Sequence, residues 1–305
     1  MLSLHTNNAA LSAQSSLGRT QSSLSTSMTR LSTGFRINSA MDDAAGLQIA
    51  TRLKAQTSGM SVAMRNTQNS VSMLQTAEGA LDEVTNILTR MKDLATQSAD
   101  GSSSTADRTA MQSEFTSLTD ELSNIVKNTS FGGTGLLNNT TGAKGKLAAS
   151  VDFQIGASTG EKMTLNIGGN VDTMHADIVK AAGGFNGGTL VAGGATASKE
   201  ISDTVANDGT GAANANATID KLKTAIDSVS TVRSSLGAAA NRLDHVYNNL
   251  SNVSSNTQNA IGRIMDVDFA TESAKMTSNQ MLMQAGTAML KQTNSMSSMV
   301  MSLLQ

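Results

Sequence analysis

The sequence contains no cysteine, no proline and no tryptophan, and its 305 residues include one tyrosine and six phenylalanines. Without cysteine there can be neither a disulfide nor a thiolate metal site. Without proline, long helices can run unbroken. A core with so few rings must be built from aliphatic side chains and methionine, which favours thin helix-on-helix packing over one thick globular core.

Charge is also scarce and nearly balanced. Charged residues make up 15% of the chain and the formal net charge is −2, whereas globular domains average about 25% charged residues. Because a nucleic-acid partner would require a clustered basic face, we expect none. The sequence contains no run of 18 apolar residues that could span a membrane, so we expect no membrane partner. The first charge is Arg19, so no basic segment precedes an apolar stretch, and we expect no cleaved signal peptide.

Heptad spacing of apolar residues dominates both ends of the chain. One set near the N-terminus and one near the C-terminus follow this spacing or flank it: Leu17, Leu24 and Leu31, then Leu282, Met289, Met296, Met299 and Leu303. Helical periodicity also runs through much of the sequence between them. The sequence therefore predicts a mainly α fold, a long antiparallel helical rod or coiled coil formed by the N- and C-terminal segments.

The middle of the chain has a different pattern. Apolar and polar residues alternate over 151–155 and again over 163–167, which predicts a small β-hairpin region. Glycine pairs beyond Gly168 predict a loop-rich insertion. We therefore divide the chain into three parts: a terminal helical assembly domain (1–41 plus 270–305), a helical rod domain with the β-hairpin (42–175 plus 216–269), and a short Gly/Ala-rich variable insertion (176–215).

Both tips of the chain are free of charge. Residues 1–18 and 292–305 contain no Lys, Arg, Asp or Glu. Exposed helices usually carry a charged face, whereas Ser, Thr, Asn and Gln can be buried and still hydrogen-bond across an interface. We predict that the two heptad sets form a self-assembly surface between copies of this chain. The pattern leaves open that the two ends pair only within one molecule.

Two other classes of function fit less well. The histidines, His5, His175 and His245, are too far apart in sequence for a HExxH zinc site, and the glycine pairs match no phosphate-loop spacing. Asp42-Asp43 stands where a helix is predicted to begin, and acidic residues there favour the helix dipole. We therefore expect no enzyme, no cofactor and no metal. A secreted binding module using residues 169–215 is the other class, but Phe185 is the only aromatic anchor there.

Several motifs resemble bacterial flagellin, and they occur in the same order as in that family. They are LSTGFRINSAMDDAAGLQIATRL (31–53), QTAEGALDEVTNILTRMKDLATQSADG (75–101), FGGTGLL (131–137), VDFQIGASTGE (151–161), GRIMDVDFATESAKM (262–276) and the final MSLLQ. The resemblance covers roughly residues 1–168 and 215–305. It departs from the family where Met265 replaces an expected acidic residue and where proline is absent near the end.

The resemblance implies a structural subunit that assembles into the extracellular bacterial flagellar filament for motility. Paired terminal helices would line the inner tube, long helices would surround them, and the outer domains would be reduced or absent. The implied export route is the flagellar type III channel. The implied partners are other copies of this chain, a flagellar export chaperone at the C-terminal helices, and hook-associated and cap proteins. The alternative is the hook-filament junction protein, which would share the terminal helices without polymerising alone.

The resemblance also implies a contact with a host Toll-like receptor at Arg90, Leu94 and Glu114. Lys92 and Asp93 stand where many recognised members of the family carry Arg and Glu. An ordinary surface patch on a rod helix is the alternative interpretation of these positions.

Overall fold

A computed structural model of the chain describes residues 7–140, 143–183, 185–186, 189–190, 199–202 and 210–303. Most of these residues are helical, and every β-strand among them belongs to a two-stranded antiparallel ladder. The predicted mainly α fold with a small β-hairpin region is therefore confirmed. Its helices are α1 (Asn8–Thr33), α2 (Ala44–Ala99), α3 (Thr105–Asn128), α4 (Gly168–Ala181), α5 (Gly211–Met265) and α6 (Phe269–Leu303).

Four short antiparallel pairs make up the β structure of the described residues. In chain order the strands are β1 (Ser130–Phe131), β2 (Thr134–Gly135), β3 (Asn139–Thr140), β4 (Ala143–Lys144), β5 (Val151–Gln154), β6 (Lys162–Leu165), β7 (Phe185–Asn186) and β8 (Thr189–Leu190). Each strand pairs with its neighbour in sequence. A short 3-10 helix, Lys146–Ala148, lies between β4 and β5.

The chain folds as two compact units. Unit 1 takes in the described residues up to Ser58 and from Ser254 onward, and unit 2 comprises Gly59–Val253. Both boundaries fall inside helices, α2 and α5. The sequence-based division instead followed the breaks between helices, near residues 41 and 270. Backbone hydrogen bonding along a helix is local, so it carries no signal for the point where tertiary contacts change.

Unit 2 contains the large hydrophobic core. Helix α2 contributes Leu74, Leu81 and Leu88, spaced by seven residues and at most 1% exposed. Phe115 of α3 and Leu222 of α5 belong to the same cluster. The core is aliphatic with few rings, as the composition predicts.

The predicted hairpin is present as β5 and β6. Phe153 lies opposite Met163 in the ladder, and both side chains are buried, whereas the outward pair Asp152 and Thr164 is exposed. The Thr164 hydroxyl donates a 2.6 Å hydrogen bond to the Asp152 carboxylate. Alternation of inward apolar and outward polar residues is thus the signal that placed this hairpin correctly.

The prediction of a loop-rich segment beyond Gly168 is wrong for residues 168–181, which form helix α4. Val171, Met174 and Ile178 lie on one helical face and are fully buried. A Cβ on Gly168 would lie 2.8 Å from the carbonyl oxygen of Ala148, so this glycine permits a close backbone approach. A glycine at a helix end destabilises the helix less than one in its interior, and so the glycine pair there does not exclude a helix.

The insertion also returns to the core at two further points. Phe185 is fully buried and stacks on His175, with ring centroids 5.6 Å apart. Ile201 is fully buried, and its backbone N–H donates to the Gln112 side-chain oxygen at 2.9 Å. The Gln112 amide nitrogen donates to Glu200 at 2.7 Å. Phe185 is therefore a core residue, unavailable as an anchor for a partner.

Gly145 and Gly79 give opposite predictions for substitution by alanine. A Cβ on Gly145 would lie 2.6 Å from the Leu136 carbonyl carbon and 2.8 Å from the Asn138 nitrogen, whereas a Cβ on Gly79, inside α2, would meet nothing within 4 Å. We expect Gly145→Ala to lower the free energy of unfolding by about 1–3 kcal/mol, because backbone atoms must shift. We expect Gly79→Ala to raise it by about 0.5–1 kcal/mol. Urea denaturation of both variants measures the difference, and equal effects would contradict the packing at Gly145.

His175 makes the stability of unit 2 depend on pH. Its Nε2–H donates to the Leu137 carbonyl at 2.7 Å, and its Nδ1 meets no hydrogen-bond partner among the described residues. Burial lowers the pKa of His175 below its ordinary value of 6.5, against smaller opposing effects of the Leu137 hydrogen bond and of Asp172. Below pH 6.5 the unfolded chain binds a proton that the folded chain resists, so stability is fully present above this pH and falls as pH decreases.

Substitution of this histidine tests the prediction. His175→Gln can still donate to the Leu137 carbonyl but cannot titrate, so urea midpoints should lose the part of the slope between pH 7.5 and 5 that His175 contributes. His245 is exposed, and His245→Gln should keep the slope of the parent chain. Equal slopes in both variants would exclude His175 as the cause.

Candidate self-assembly surface

The ends of α1 and α6 are tied together by backbone hydrogen bonds in unit 1. The chain leaves α1 at Gly34, whose φ of 75° is the left-handed conformation that glycine adopts readily. The Val267 N–H then donates to the Gly34 carbonyl at 3.0 Å, and the Arg36 N–H donates to the Met265 carbonyl at 2.6 Å. These bonds join the end of α1 to the start of α6, so the two helices run antiparallel.

Helices α1 and α6 form a coiled-coil seam. The less exposed positions on both helices alternate spacings of three and four residues, as knobs-into-holes packing requires. They are Ala10, Ala13, Leu17, Thr20, Leu24, Ser27 and Leu31 on α1, and Glu272, Met276, Asn279, Met283, Gly286, Leu290 and Thr293 on α6. At the far end, the Asn7 side chain donates to the Thr293 carbonyl at 3.4 Å. The predicted antiparallel pairing of the N- and C-terminal helices is confirmed.

A glycine of α6 lies against a leucine of α1. A Cβ on Gly286 would lie only 2.8 Å from the Leu17 Cδ1 atom, so the leucine occupies the space that this glycine leaves. Leu24 is 6% exposed, and Leu17 and Leu31 are half-buried. The N-terminal set of predicted assembly residues therefore faces α6 of the same molecule.

One carboxylate is buried in the seam. Glu272 is 4% exposed, and the Ser27 hydroxyl donates a 2.6 Å hydrogen bond to it. Arg30 and Lys275 approach the same carboxylate at 3.9 and 3.7 Å. A buried carboxylate requires such partners, and a single polar pair within an otherwise apolar seam can set the register of two helices.

Two aspartates accept backbone hydrogen bonds in the connection from α1 to α2. Asp42 accepts hydrogen bonds from the backbone N–H groups of Ser39 and Asn38, which hold the pKa of its carboxyl below the usual range. Asp43 directly precedes the first residue of α2, and its carboxylate accepts a hydrogen bond from the Gly46 N–H at 2.8 Å. Asp42-Asp43 therefore stands at a helix start, as predicted.

The C-terminal set of predicted assembly residues lies outside the seam. Leu282, Met289 and Met296 are 56%, 63% and 56% exposed. Leu282 and Met289 each stand one position before a seam position of α6, Met296 stands seven residues after Met289, and Met281 is 60% exposed. We call Met281, Leu282, Met289 and Met296 the free face of α6. The side chains of Met299 and Leu303 lie outside the described residues.

The free face carries no charge. Helix α6 has three charged residues, Glu272, Lys275 and Lys291, so none stands between residues 276 and 290. Monomeric surfaces rarely expose contiguous apolar patches of large size, and such patches commonly mark interaction sites. Helix α6 therefore has two apolar faces. One packs against α1, and the other is exposed.

The predicted receptor positions separate into two exposed residues and one core residue. Both Nε and Nη2 of Arg90 donate to one carboxylate oxygen of Glu114, at 2.9 and 2.7 Å, and both side chains are about half exposed. Leu94 is 2% exposed and belongs to the core of unit 2. Leu94 is therefore not available for a surface contact, because its position on α2 faces inward.

Among the described residues, no group of three or more His, Asp or Glu side chains could hold a metal ion. None of the described helices is both long enough and apolar enough to cross a membrane.

The fold and the seam define a class of largely helical proteins whose two terminal helices pair antiparallel and leave apolar residues uncovered. Comparison with protein families identifies the class. Residues 4–141 match the bacterial flagellin N-terminal helical region, and residues 219–304 match the bacterial flagellin C-terminal helical region. Together the two matches take in well over half of the chain. The chain belongs to the bacterial flagellin family.

Individual relatives agree with this membership. The chain is 43% identical over 166 residues to polar flagellin B/D of Vibrio parahaemolyticus, a match that covers 54% of this chain and 42% of that protein. It is 41% identical over the same length to flagellin C of Vibrio cholerae, with the same coverage. The chain thus matches less than half the length of these curated relatives.

A solved structure shares the fold. The structure of a protein assigned as flagellar hook-associated, from Vibrio parahaemolyticus, has a TM-score of 0.54 and covers 74% of this chain and 100% of that one. At 18% sequence identity this likeness shows the fold alone.

Loss of the Glu272 carboxylate should loosen the seam. We expect Glu272→Ala to destabilise the α1–α6 pairing by about 1–3 kcal/mol, because the buried Ser27 hydroxyl loses its acceptor. Lys275→Ala removes an exposed partner of the same carboxylate and should change the pairing by about 0–1 kcal/mol. Amide hydrogen exchange along α1 measures both effects. Similar exchange rates in the two variants would show that the buried carboxylate does not hold the helices together.

Proposed function

We propose that this chain is a structural subunit that self-assembles into the extracellular bacterial flagellar filament and so serves motility. The observation that carries the proposal is the free face of α6, an uncharged row of exposed Leu and Met side chains in a member of the flagellin family. The role proposed is structural, without catalysis. The family is a structural one, which supports this.

The physical chemistry of the free face favours burial against another copy. Leu282, Met289 and Met296 repeat every seven residues, the spacing that lets a neighbouring helix pack along the whole row. Burying each such side chain stabilises an interface by roughly 1.5–3 kcal/mol. A surface that meets a different surface of the next copy generates a ring or an open helical filament. Repetition of one modest contact along a filament is then sufficient for assembly.

Within this proposal the two heptad sets have different tasks. Leu17, Leu24 and Leu31 pack against α6 in the seam, and Leu282, Met289 and Met296 contact the neighbouring copy. Leu303 continues the spacing of seven and Met299 flanks it in the sequence, and both join the proposed contact on that ground. Residues 1–41 and 270–305 together form the proposed assembly domain.

Other partners follow from the same surfaces. An export chaperone would cover the apolar face of the C-terminal helix before assembly, and hook-associated and cap proteins would meet it at the filament ends. The exposed ion pair of Arg90 and Glu114 is the proposed contact for a host Toll-like receptor. Its exposure and its charge are compatible with such a contact.

Seeded polymerisation tests the filament role. The purified full chain should form filaments on seeds under salting-out conditions, visible by electron microscopy. A version lacking residues 272–305 should not. Leu282→Ser, Met289→Ser and Met296→Ser combined should raise the critical concentration at least about a hundredfold, because three apolar contacts are lost.

A matched control variant distinguishes loss of the free face from a general effect of three substitutions in α6. Gln280→Ala, Thr287→Ala and Asn294→Ala combined change three exposed polar residues with the same spacing of seven, and this variant should assemble like the parent. If the full chain stays monomeric with seeds, the filament role is wrong and the hook-filament junction protein becomes the better hypothesis. Normal assembly of the serine variant would instead place the contact elsewhere on the chain.

A further inference from the structure

Methionine is concentrated on the helix that carries the free face. Helix α6 contains seven of the 18 methionines of the chain. Among the described side chains, Met281, Met289 and Met296 are 60%, 63% and 56% exposed. Met91 and Met174, in the core of unit 2, are fully buried. Solvent therefore reaches the thioethers of the assembly helix and not those of the core.

We propose that Met281, Met289 and Met296 form a redox modification site at which a peroxide blocks assembly of the free subunit. This inference rests on the proposed filament function. The sulfur lone pair attacks one oxygen of hydrogen peroxide, so that an S–O bond forms and the O–O bond breaks. Sulfur is oxidised by two electrons to the sulfoxide, and the second oxygen leaves as water. The reaction needs no other reductant or oxidant.

The composition directs an oxidant to these side chains. Cysteine is the side chain that usually reacts first with peroxides, and this chain has none. Methionine is then the principal target, and susceptibility follows exposure of the sulfur. Met276 and Met283 lie half-buried in the seam, so we expect them to react more slowly than the three residues of the free face.

Oxidation changes the property on which the free face depends. A sulfoxide is polar and chiral, whereas the thioether is apolar and flexible. With Met281, Met289 and Met296 oxidised, three of the four described side chains that define the free face have become polar. Each sulfoxide oxygen would be buried in the filament contact without a donor prepared for it, which is unfavourable. In an assembled filament the same sulfurs would be covered, so oxidation discriminates between free and assembled subunits.

The test combines peptide mass spectrometry with seeded polymerisation of the full chain. Limited hydrogen peroxide treatment of the monomer should oxidise Met281, Met289 and Met296 before Met91 and Met174, and should raise the critical concentration roughly tenfold or more. Treatment with methionine sulfoxide reductases of both epimer specificities should restore assembly. In preformed filaments the three residues should be protected, relative to the same residues in monomer, by at least about tenfold in rate.

Two matched variants locate the effect. Met281→Leu, Met289→Leu and Met296→Leu combined keep the face apolar and should assemble normally after peroxide treatment. Met28→Leu and Met41→Leu combined remove two methionines that are 56% and 97% exposed outside α6, and this variant should remain as sensitive as the parent. Circular dichroism of the oxidised monomer checks that α6 has not simply unfolded.

The outcomes separate this inference from the filament function. Untreated chain that fails to polymerise on seeds defeats both. Untreated chain that polymerises, together with oxidised chain that polymerises equally well, leaves the filament function standing and overturns the redox site. If the leucine variant assembles poorly even without peroxide, the reductase treatment becomes the test. Failure of the reductases to restore assembly of the oxidised parent chain then overturns the redox site. Equal sensitivity of the leucine variant and the parent also overturns it.

Discussion

The seam between α1 and α6 decides which side chains at the ends of this chain can reach another molecule. Its contacts are individually small: alanine, threonine, serine and glycine alternate with a few leucines and methionines. Isolated helices with this composition would be marginal, since Ser, Thr and Asn are poor helix formers. Pairing makes up for this, and it turns Leu17, Leu24 and Leu31 inward. Everything proposed for the free face follows from that choice of partner.

The buried carboxylate gives the seam a register that its apolar residues do not define well. Leu and Met at every seventh position would also fit after a shift of one heptad. Glu272 would then lose the Ser27 hydroxyl and would be buried with its hydrogen bond unmade. A shift is therefore disfavoured by one strong local interaction, while the remaining contacts stay adaptable.

Unit 2 obeys the same compositional constraint in another way. With few aromatic rings available, its core depends on aliphatic side chains and methionines, including a row of leucines from α2, and on three buried phenylalanines, Phe115, Phe153 and Phe185. The buried ring of His175 stacks on Phe185 in this core. Because burial disfavours the charged form of this ring and lowers its pKa, His175 makes the stability of unit 2 depend on pH.

The sequence by itself determined the helical class, the pairing of the two ends and the β5–β6 hairpin, because heptad and two-residue periods are local properties that any neighbouring partner must satisfy. Family membership also followed from local motifs. The sequence could not distinguish the two apolar rows of α6, because both rows have the same spacing. One row is Met276, Met283 and Leu290, and the other is Leu282, Met289 and Met296. Only the tertiary structure decided which row meets α1.

The same limit applies to single residues and to helix α4. The family resemblance assigns Leu94 to a surface contact, whereas its exposure depends on what packs against that face of α2. Helix α4 begins with two glycines and precedes the glycine pairs that predict a loop, and it forms because Val171, Met174 and Ile178 gain burial against the core. Short-range pattern therefore determined which elements this chain forms. Packing decided which face of each element is available, because a face is free only when no other part of the chain covers it.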